Sequence, residues 1–130
     1  MSIKENKALA RHVYELLNNR EFNKLFELWA PGYILHSISG DLSAEQARQF
    51  EVQFFVDFPD AKANVEETIA EGEKVAVLVT WQGTHKATGK KIKMTNANIF
   101  RITDGKLAEL WNVTDIRLAQ QLGDVPNKQL

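Results

Sequence analysis

Glu109, Trp111 and Asp115 stand two and four residues apart near the end of the chain, in Glu109-Leu110-Trp111-Asn112-Val113-Thr114-Asp115. Side chains of a strand alternate between its faces, so this spacing puts Leu107, Glu109, Trp111 and Val113 on one side, with Asp115 following just past the strand end. A carboxylate beside an indole is partly desolvated, which raises its pKa toward the range of a general acid or base near neutral pH. A hydrogen bond to its ionised form does the opposite. Aspartate also suits the N-cap of a helix starting at Ile116, so a catalytic and a structural reading of Asp115 both stand.

Two histidines fall on apolar strand faces. His36 shares a parity with Ile34 and Ile38, and His85 ends a strand carrying Val77, Val79 and Trp81 on one side. Both are candidates for a shared pocket with Trp81, although a histidine on an apolar face is often purely structural. His12, inside the first helical pattern, is a weaker candidate. Asn96 and Asn98 interrupt the row Ile92, Met94, Phe100 and Ile102. Burying an unpaired amide costs about 1 to 3 kcal/mol, so this face supplies partners, borders a wet cavity, or turns an asparagine to solvent at a bulge. The three histidines show no metal-ligand spacing and cysteine is absent, so no metal site is expected. Without a Gly-rich phosphate loop, a serine elbow or paired cofactor glycines, no organic cofactor is indicated either.

The elements that must position these residues follow from periodicity. Leu9, Val13, Leu16 and Leu17 make an apolar stripe on a helix from about Glu5 to Asn19. A short second helix carries Phe22, Leu25, Phe26 and Trp29 and ends before Pro31-Gly32; Tyr33 to Ile38 reads as a strand. Ser43 and Gln46 form a capping box opening a third helix, whose face holds Ala47, Phe50, Phe54 and Phe58 until Pro59 stops it. From Ala61 the period becomes two. Glu71-Gly72, Thr88-Gly89 and Asp104-Gly105 then separate strands near 61–70, 74–85, 90–103 and 106–114. A last helix from about Ile116 to Leu122 and a frayed tail complete an α+β domain whose sheet curls around its helices.

Composition narrows the function classes. The 130 residues, 44% hydrophobic and 25% charged, suit one globular domain, and 16 basic against 17 acidic side chains leave no footprint for nucleic acid or an anionic membrane. No apolar run approaches the ~20 residues of a membrane span, and Met1 to Lys7 lacks the apolar core of a signal peptide, so a cytoplasmic location is expected. Lys86, Lys90, Lys91 and Lys93 surround a hairpin turn and read as solvated edge protection.

Phe58-Pro59-Asp60, Ile69 to Val77, Gly83-Thr84-His85, Thr88-Gly89-Lys90, Asp104-Gly105-Lys106, Glu109-Leu110-Trp111 with Asp115, and Gln120 to Gly123 occur in an order that resembles the SnoaL-like polyketide cyclase (ester cyclase) family. That family lies within the nuclear transport factor 2-like superfamily, and the resemblance runs from about Asn6 to Gly123. It implies a conical, cystatin-like α+β barrel, with a curved antiparallel sheet around N-terminal helices and an internal apolar pocket. It also implies intramolecular aldol condensation without metal or organic cofactor, on a small hydrophobic carbonyl compound. The E-x-W-x-x-x-D motif falls on Glu109, Trp111 and Asp115, making Asp115 the catalytic acid/base and Trp111 a pocket wall. His36 and His85 would line the pocket and, with Asn98, stabilise an enolate, while Trp81 and Trp111 would join them in binding substrate. A homodimer through the outer sheet face is implied too, with Ala97, Ile99, Ala108 and Leu110 compatible with it. One departure is a shortened hairpin, since only Lys86 and Ala87 separate His85 from Thr88. Two other classes stay open: a binding or dimerising module that keeps the pocket without chemistry, and an epoxide hydrolase or ketosteroid isomerase of the same superfamily, for which Glu109 would be the second carboxyl.

Overall fold

The computed structural model describes residues 2–115. Helix α1 (Ile3–Asn18) opens on a capping box that the sequence reading missed: Ser2 Oγ accepts from the Glu5 amide and the Glu5 carboxylate accepts from the Ser2 amide. Its buried stripe includes Ala10, Val13, Tyr14 and Leu17. The short α2 (Phe22–Glu27) leads into β1 (Trp29–Ser37), which starts four residues earlier than the pattern suggests because Pro31 and Gly32, at φ 79°, sit in an irregular stretch of the strand. A tight turn then gives β2 (Gly40–Ser43), a strand too short to show alternation. The capping box of Ser43 and Gln46 is formed at the start of α3 (Ala44–Asp57). The remaining strands are β3 (Lys62–Glu71), β4 (Lys74–Thr84), β5 (Lys91–Thr103) and β6 (Lys106–Thr114), each within a residue or two of its expected bounds. The helix expected from Ile116 to Leu122 and the tail lie outside the described residues.

The strands form one curved sheet in the order β2-β1-β6-β5-β4-β3. All pairs are antiparallel except β1–β6, which is parallel, so the sheet is mixed and open where the expectation was an antiparallel barrel. The parallel pair has a topological cause: the chain leaves β1, runs through α3 and the β3–β5 meander, and returns to lie beside β1 in the same direction, the long crossover that parallel strands require. Tyr14, Leu17, Tyr33, Leu35, Val75, Val77, Val79 and Phe100 are among the side chains buried between the helices and the inner sheet face.

A bulge in β6 decides which residues face that interior. Arg101 pairs with Glu109 and Ile102 with Leu107, leaving Ala108 as an extra residue without a cross-strand partner. One extra residue reverses the parity of everything after it. Leu107 points inward as expected, but beyond the bulge Leu110 is buried while Glu109 and Trp111 turn to the outer face. The assignment of Leu110 to the outer face is corrected accordingly.

Candidate functional site

Between α1, α3 and the inner sheet face lies a cavity of about 330 Å³. Val13, Leu17, Phe54, Trp81, Met94 and Phe100 supply much of its apolar wall, and Ile38 and Phe50, both about half exposed, stand at its rim. Trp81 is held edge-on against Tyr14, Phe54 and Phe55, with centroids 6.4, 5.3 and 5.7 Å away. An aromatic lattice of this kind fixes the shape of the wall, because edge-to-face packing adds to area burial and prescribes ring angles.

The polar part of the lining is a chain of hydrogen bonds running in one direction. Asn96 Nδ2 donates to Thr114 Oγ1 (2.8 Å), Thr114 Oγ1 donates to Asn112 Oδ1, Asn112 Nδ2 donates to Asn98 Oδ1 (2.9 Å), and Asn98 Nδ2 donates to the Tyr14 hydroxyl oxygen (2.7 Å). The register explains the chain: Asn96 pairs with Thr114 and Asn98 with Asn112 across β5–β6, so the four side chains form two facing rungs on the inner face. Tyr14 therefore accepts through its oxygen and keeps its own O–H proton, which has no hydrogen-bond acceptor among the described residues. Burial holds its phenol pKa well above the ordinary value, outweighing the Asn98 hydrogen bond, and nearby Glu51 raises it further. Tyr14 is a neutral donor at any physiological pH.

Glu51 was not singled out from the sequence. It projects from α3 into the cavity, four residues after buried Ala47 and four before buried Phe55. It has no hydrogen bond or ion pair among the described residues, and burial pushes its carboxyl up to about 7. It is the only Asp, Glu, Lys, Arg or His among the described lining residues, and its charge also raises the pKa of Tyr33 on β1. The signal was present in the spacing: Ala47, Glu51, Phe54, Phe55 and Phe58 share one stripe at steps of three and four, on which a carboxyl is out of place. Phe50, assigned to that stripe, stands beside it at the rim.

The structure separates the other candidates. Asn98 and Trp81 lie in the cavity wall. Trp111 does not, because the Ala108 bulge turns it outward, where its ring stacks on His36 at 5.0 Å and carries Lys74 Nζ at 5.1 Å. His36 is corrected with it: Tyr33 and Leu35 face inward on β1, so Ile34 and His36 face out. There its Nε2 and Nδ1 meet Glu109 (2.6 Å) and Asp41 (2.7 Å), and these two carboxylates raise its pKa. Glu109, the second carboxyl of the hydrolase reading, is on this outer face, bonded also to Arg101 Nε at 2.8 Å and lowered in pKa by His36 first and Arg101 next. His85 keeps the inward parity of Trp81 but lies beyond the cavity, against Phe58 (5.2 Å) and hydrogen-bonded to Thr88 within the short hairpin turn. Asp115 immediately follows the lining residue Thr114 and engages interactions of its own; it is not among the described lining residues. No cluster of three or more His, Asp or Glu that could hold a metal ion occurs among the described residues, and no described helix is long and apolar enough to cross a membrane.

Helices packed into the hollow of an open curved sheet, with a cavity between them, define the nuclear transport factor 2-like class of α+β fold. The model of the SnoaL-like polyketide cyclase family matches residues 7–122, and the chain belongs to that family. Among solved structures it is similar to AclR of Streptomyces galilaeus, a proposed hydroxylase (26% identity, TM-score 0.87, covering 96% of this chain and 100% of that one). It is also similar to IdmH of Streptomyces antibioticus, a proposed polyketide cyclase (26% identity, TM-score 0.82, covering 91% and 98%). A proposed ketosteroid isomerase from Kribbella flavida shares the fold at 18% identity and a TM-score of 0.71, covering 87% of this chain and 79% of that one. No curated protein sequence matches the chain.

Proposed function

We propose that the chain catalyses proton-transfer chemistry without a cofactor, an intramolecular aldol closure or an isomerisation, on a small hydrophobic carbonyl compound bound in the cavity. The observation that carries this reading is the one-way hydrogen-bond chain ending on the Tyr14 hydroxyl. Each bond polarises the next, so the last O–H is a stronger donor than an isolated phenol, and it is held in an apolar wall where electrostatic contacts are worth most. A substrate carbonyl placed against it gains little in the ground state and more as an α proton leaves and the oxygen becomes an enolate. In a closure, the enolate carbon then forms the new C–C bond to a second carbonyl of the same molecule, whose oxygen takes up a proton. By family resemblance Asp115, next to Thr114 at the end of this chain, serves as an acid/base.

The test is hydrogen–deuterium exchange at the α carbon of a panel of hydrophobic ketones and β-keto esters, followed by NMR. Saturable exchange that disappears in a cavity-filling Val13→Trp variant and falls in Asp115→Asn supports the reading. Binding without exchange by the wild-type chain refutes catalysis and leaves a small-molecule binding module. A homodimer through the outer sheet face, where Ile34, Leu78 and Val113 are exposed, is part of the same proposal and is checked by sedimentation.

A further inference from the structure

The cavity contains a group that the aspartate-centred account does not use. Glu51 is contributed by α3, a different element from β6, whose end carries Asp115, and it lines the same cavity as Tyr14. Carbonyl condensation moves protons at two places: one leaves carbon as the enolate forms, and one is delivered to the oxygen of the second carbonyl as the new bond closes. A single carboxyl can serve both only if the substrate presents both atoms to it in turn.

On the reading of the cavity as an active site, we infer that Glu51 is a second catalytic carboxyl, the general base that takes the α proton while the Tyr14 O–H holds the enolate oxygen. Three observations support it. Glu51 lies in the cavity wall with no hydrogen bond or ion pair among the described residues, so its lone pairs are not committed to the fold. The described lining contains no lysine, arginine or histidine that would pair with its carboxylate or draw the proton away, and the titratable groups that sense it are the two phenols Tyr14 on α1 and Tyr33 on β1, both neutral. Its carboxyl titrates at about 7, where a base is both largely ionised at slightly alkaline pH and basic enough to compete for a carbon-bound proton. The proton balance is closed: the α C–H bond breaks, its electron pair becomes the enolate, and the proton rests on Glu51. In an isomerisation Glu51 returns it to another carbon; in a closure Asp115 protonates the new alkoxide and a proton from Glu51 restores Asp115 through water.

The same lining sets the charge of the substrate. With one carboxyl and no cation, the described wall disfavours an anionic substrate carboxylate and suits a neutral ketone, keto ester or amide.

The experiment compares wild type, Glu51→Gln and Glu51→Asp in α-proton exchange of a neutral β-keto ester over pH 5 to 9, with calorimetric binding of the same compound and circular dichroism as a folding control. The expected result is exchange that rises with pH through a midpoint near 7 in the wild type, falls by about 100-fold or more in Glu51→Gln with loss of that midpoint, and partly returns in Glu51→Asp, while Kd changes by less than about threefold. Exchange that persists in Glu51→Gln with its midpoint in place overturns the role of Glu51 and leaves the cavity reading intact. Exchange and binding lost together, without rescue by Glu51→Asp, makes Glu51 structural and also overturns it. Absence of exchange from the wild type on every probe removes the cavity reading and this inference with it.

Discussion

Replacing Glu51 by glutamine should stabilise the protein at alkaline pH, and the size of the effect follows from one side chain. Its carboxyl titrates at about 7 in the folded chain against 4.5 as a free side chain. Because the folded value is raised, the native state keeps its proton to higher pH than the unfolded state does. Native stability is therefore undiminished below pH 4.5, falls as pH rises through the window from 4.5 to 7, and levels off above it. At about 1.4 kcal/mol per pH unit, that separation is about 3.5 kcal/mol, less where cavity water solvates the carboxylate. Glutamine keeps the shape and polarity of the side chain and loses the charge. Urea unfolding followed by tryptophan fluorescence should give the two proteins similar stability at pH 4.5 and a glutamine variant more stable by about 2 to 3 kcal/mol at pH 8.5. His36 also loses stabilising energy as pH rises, since its own folded pKa is raised, but it does so in both proteins and cancels in the difference. Parallel pH profiles for the two proteins would mean that Glu51 is solvated or paired in the native state, and the argument from an uncompensated cavity carboxyl would fail.

The outer face makes separate predictions. Replacing Glu109 by glutamine removes the first of the two partners that hold His36 protonated, so the His36 ring should titrate above 6.5 in the wild type and move down toward it in the variant, read by NMR. Trp111→Ala should leave ligand binding in the cavity unchanged while costing about 1 to 2 kcal/mol of stability through the lost contacts with His36 and Lys74, because the ring lies on the other side of the sheet; a large rise in Kd would contradict this placement. Gly83→Ala should cost about 1 to 3 kcal/mol in urea unfolding, since a Cβ there would come within 3.2 Å of Ala61 Cα, tighter than ordinary van der Waals contact, and a backbone atom would have to shift.

What the sequence reveals depends on whether local chemistry decides the outcome. The capping box at Ser43, the turns at Gly72 and Gly105 and the period-two runs from β3 to β6 are local, and the elements appear where those signals put them. The inward row of β5, with Asn96 and Asn98 between Met94 and Phe100, is legible for the same reason, since no bulge interrupts it. The site residues that moved did so through non-local causes. Nothing in Lys106-Leu107-Ala108-Glu109 announces that Ala108 will be left unpaired, yet that one residue exchanges the faces of Glu109, Leu110, Trp111 and Asn112. Asn112 then completes the polar chain that Asn98 begins, which is how the buried asparagines find their partners. His36 was misplaced for a different reason. Ile34 and Ile38 suggested an apolar inner face, but Tyr33 and Leu35 fill the core and the isoleucines are exposed.

The contrast between the two kinds of polar group in the cavity bears most directly on function. Asn96, Asn98, Asn112 and Thr114 satisfy one another, so their burial is compensated and a merely structural role would account for them. Two features are left over from that compensation: a Tyr14 proton with no described acceptor, and a Glu51 carboxyl with no described partner. A fold optimised for stability, or a pocket that only binds a neutral ligand, would do as well or better with glutamine at position 51, because an amide does not carry the desolvation cost of a carboxylate. A carboxyl that titrates near neutrality in the same cavity as a polarised hydroxyl is costly to the resting protein and useful chiefly while a proton is moving. That asymmetry, more than the shape of the cavity, favours the proposed acid/base enzyme over a binding module, and under that proposal a proton moves at the α1–α3 side of the cavity as well as at the end of β6.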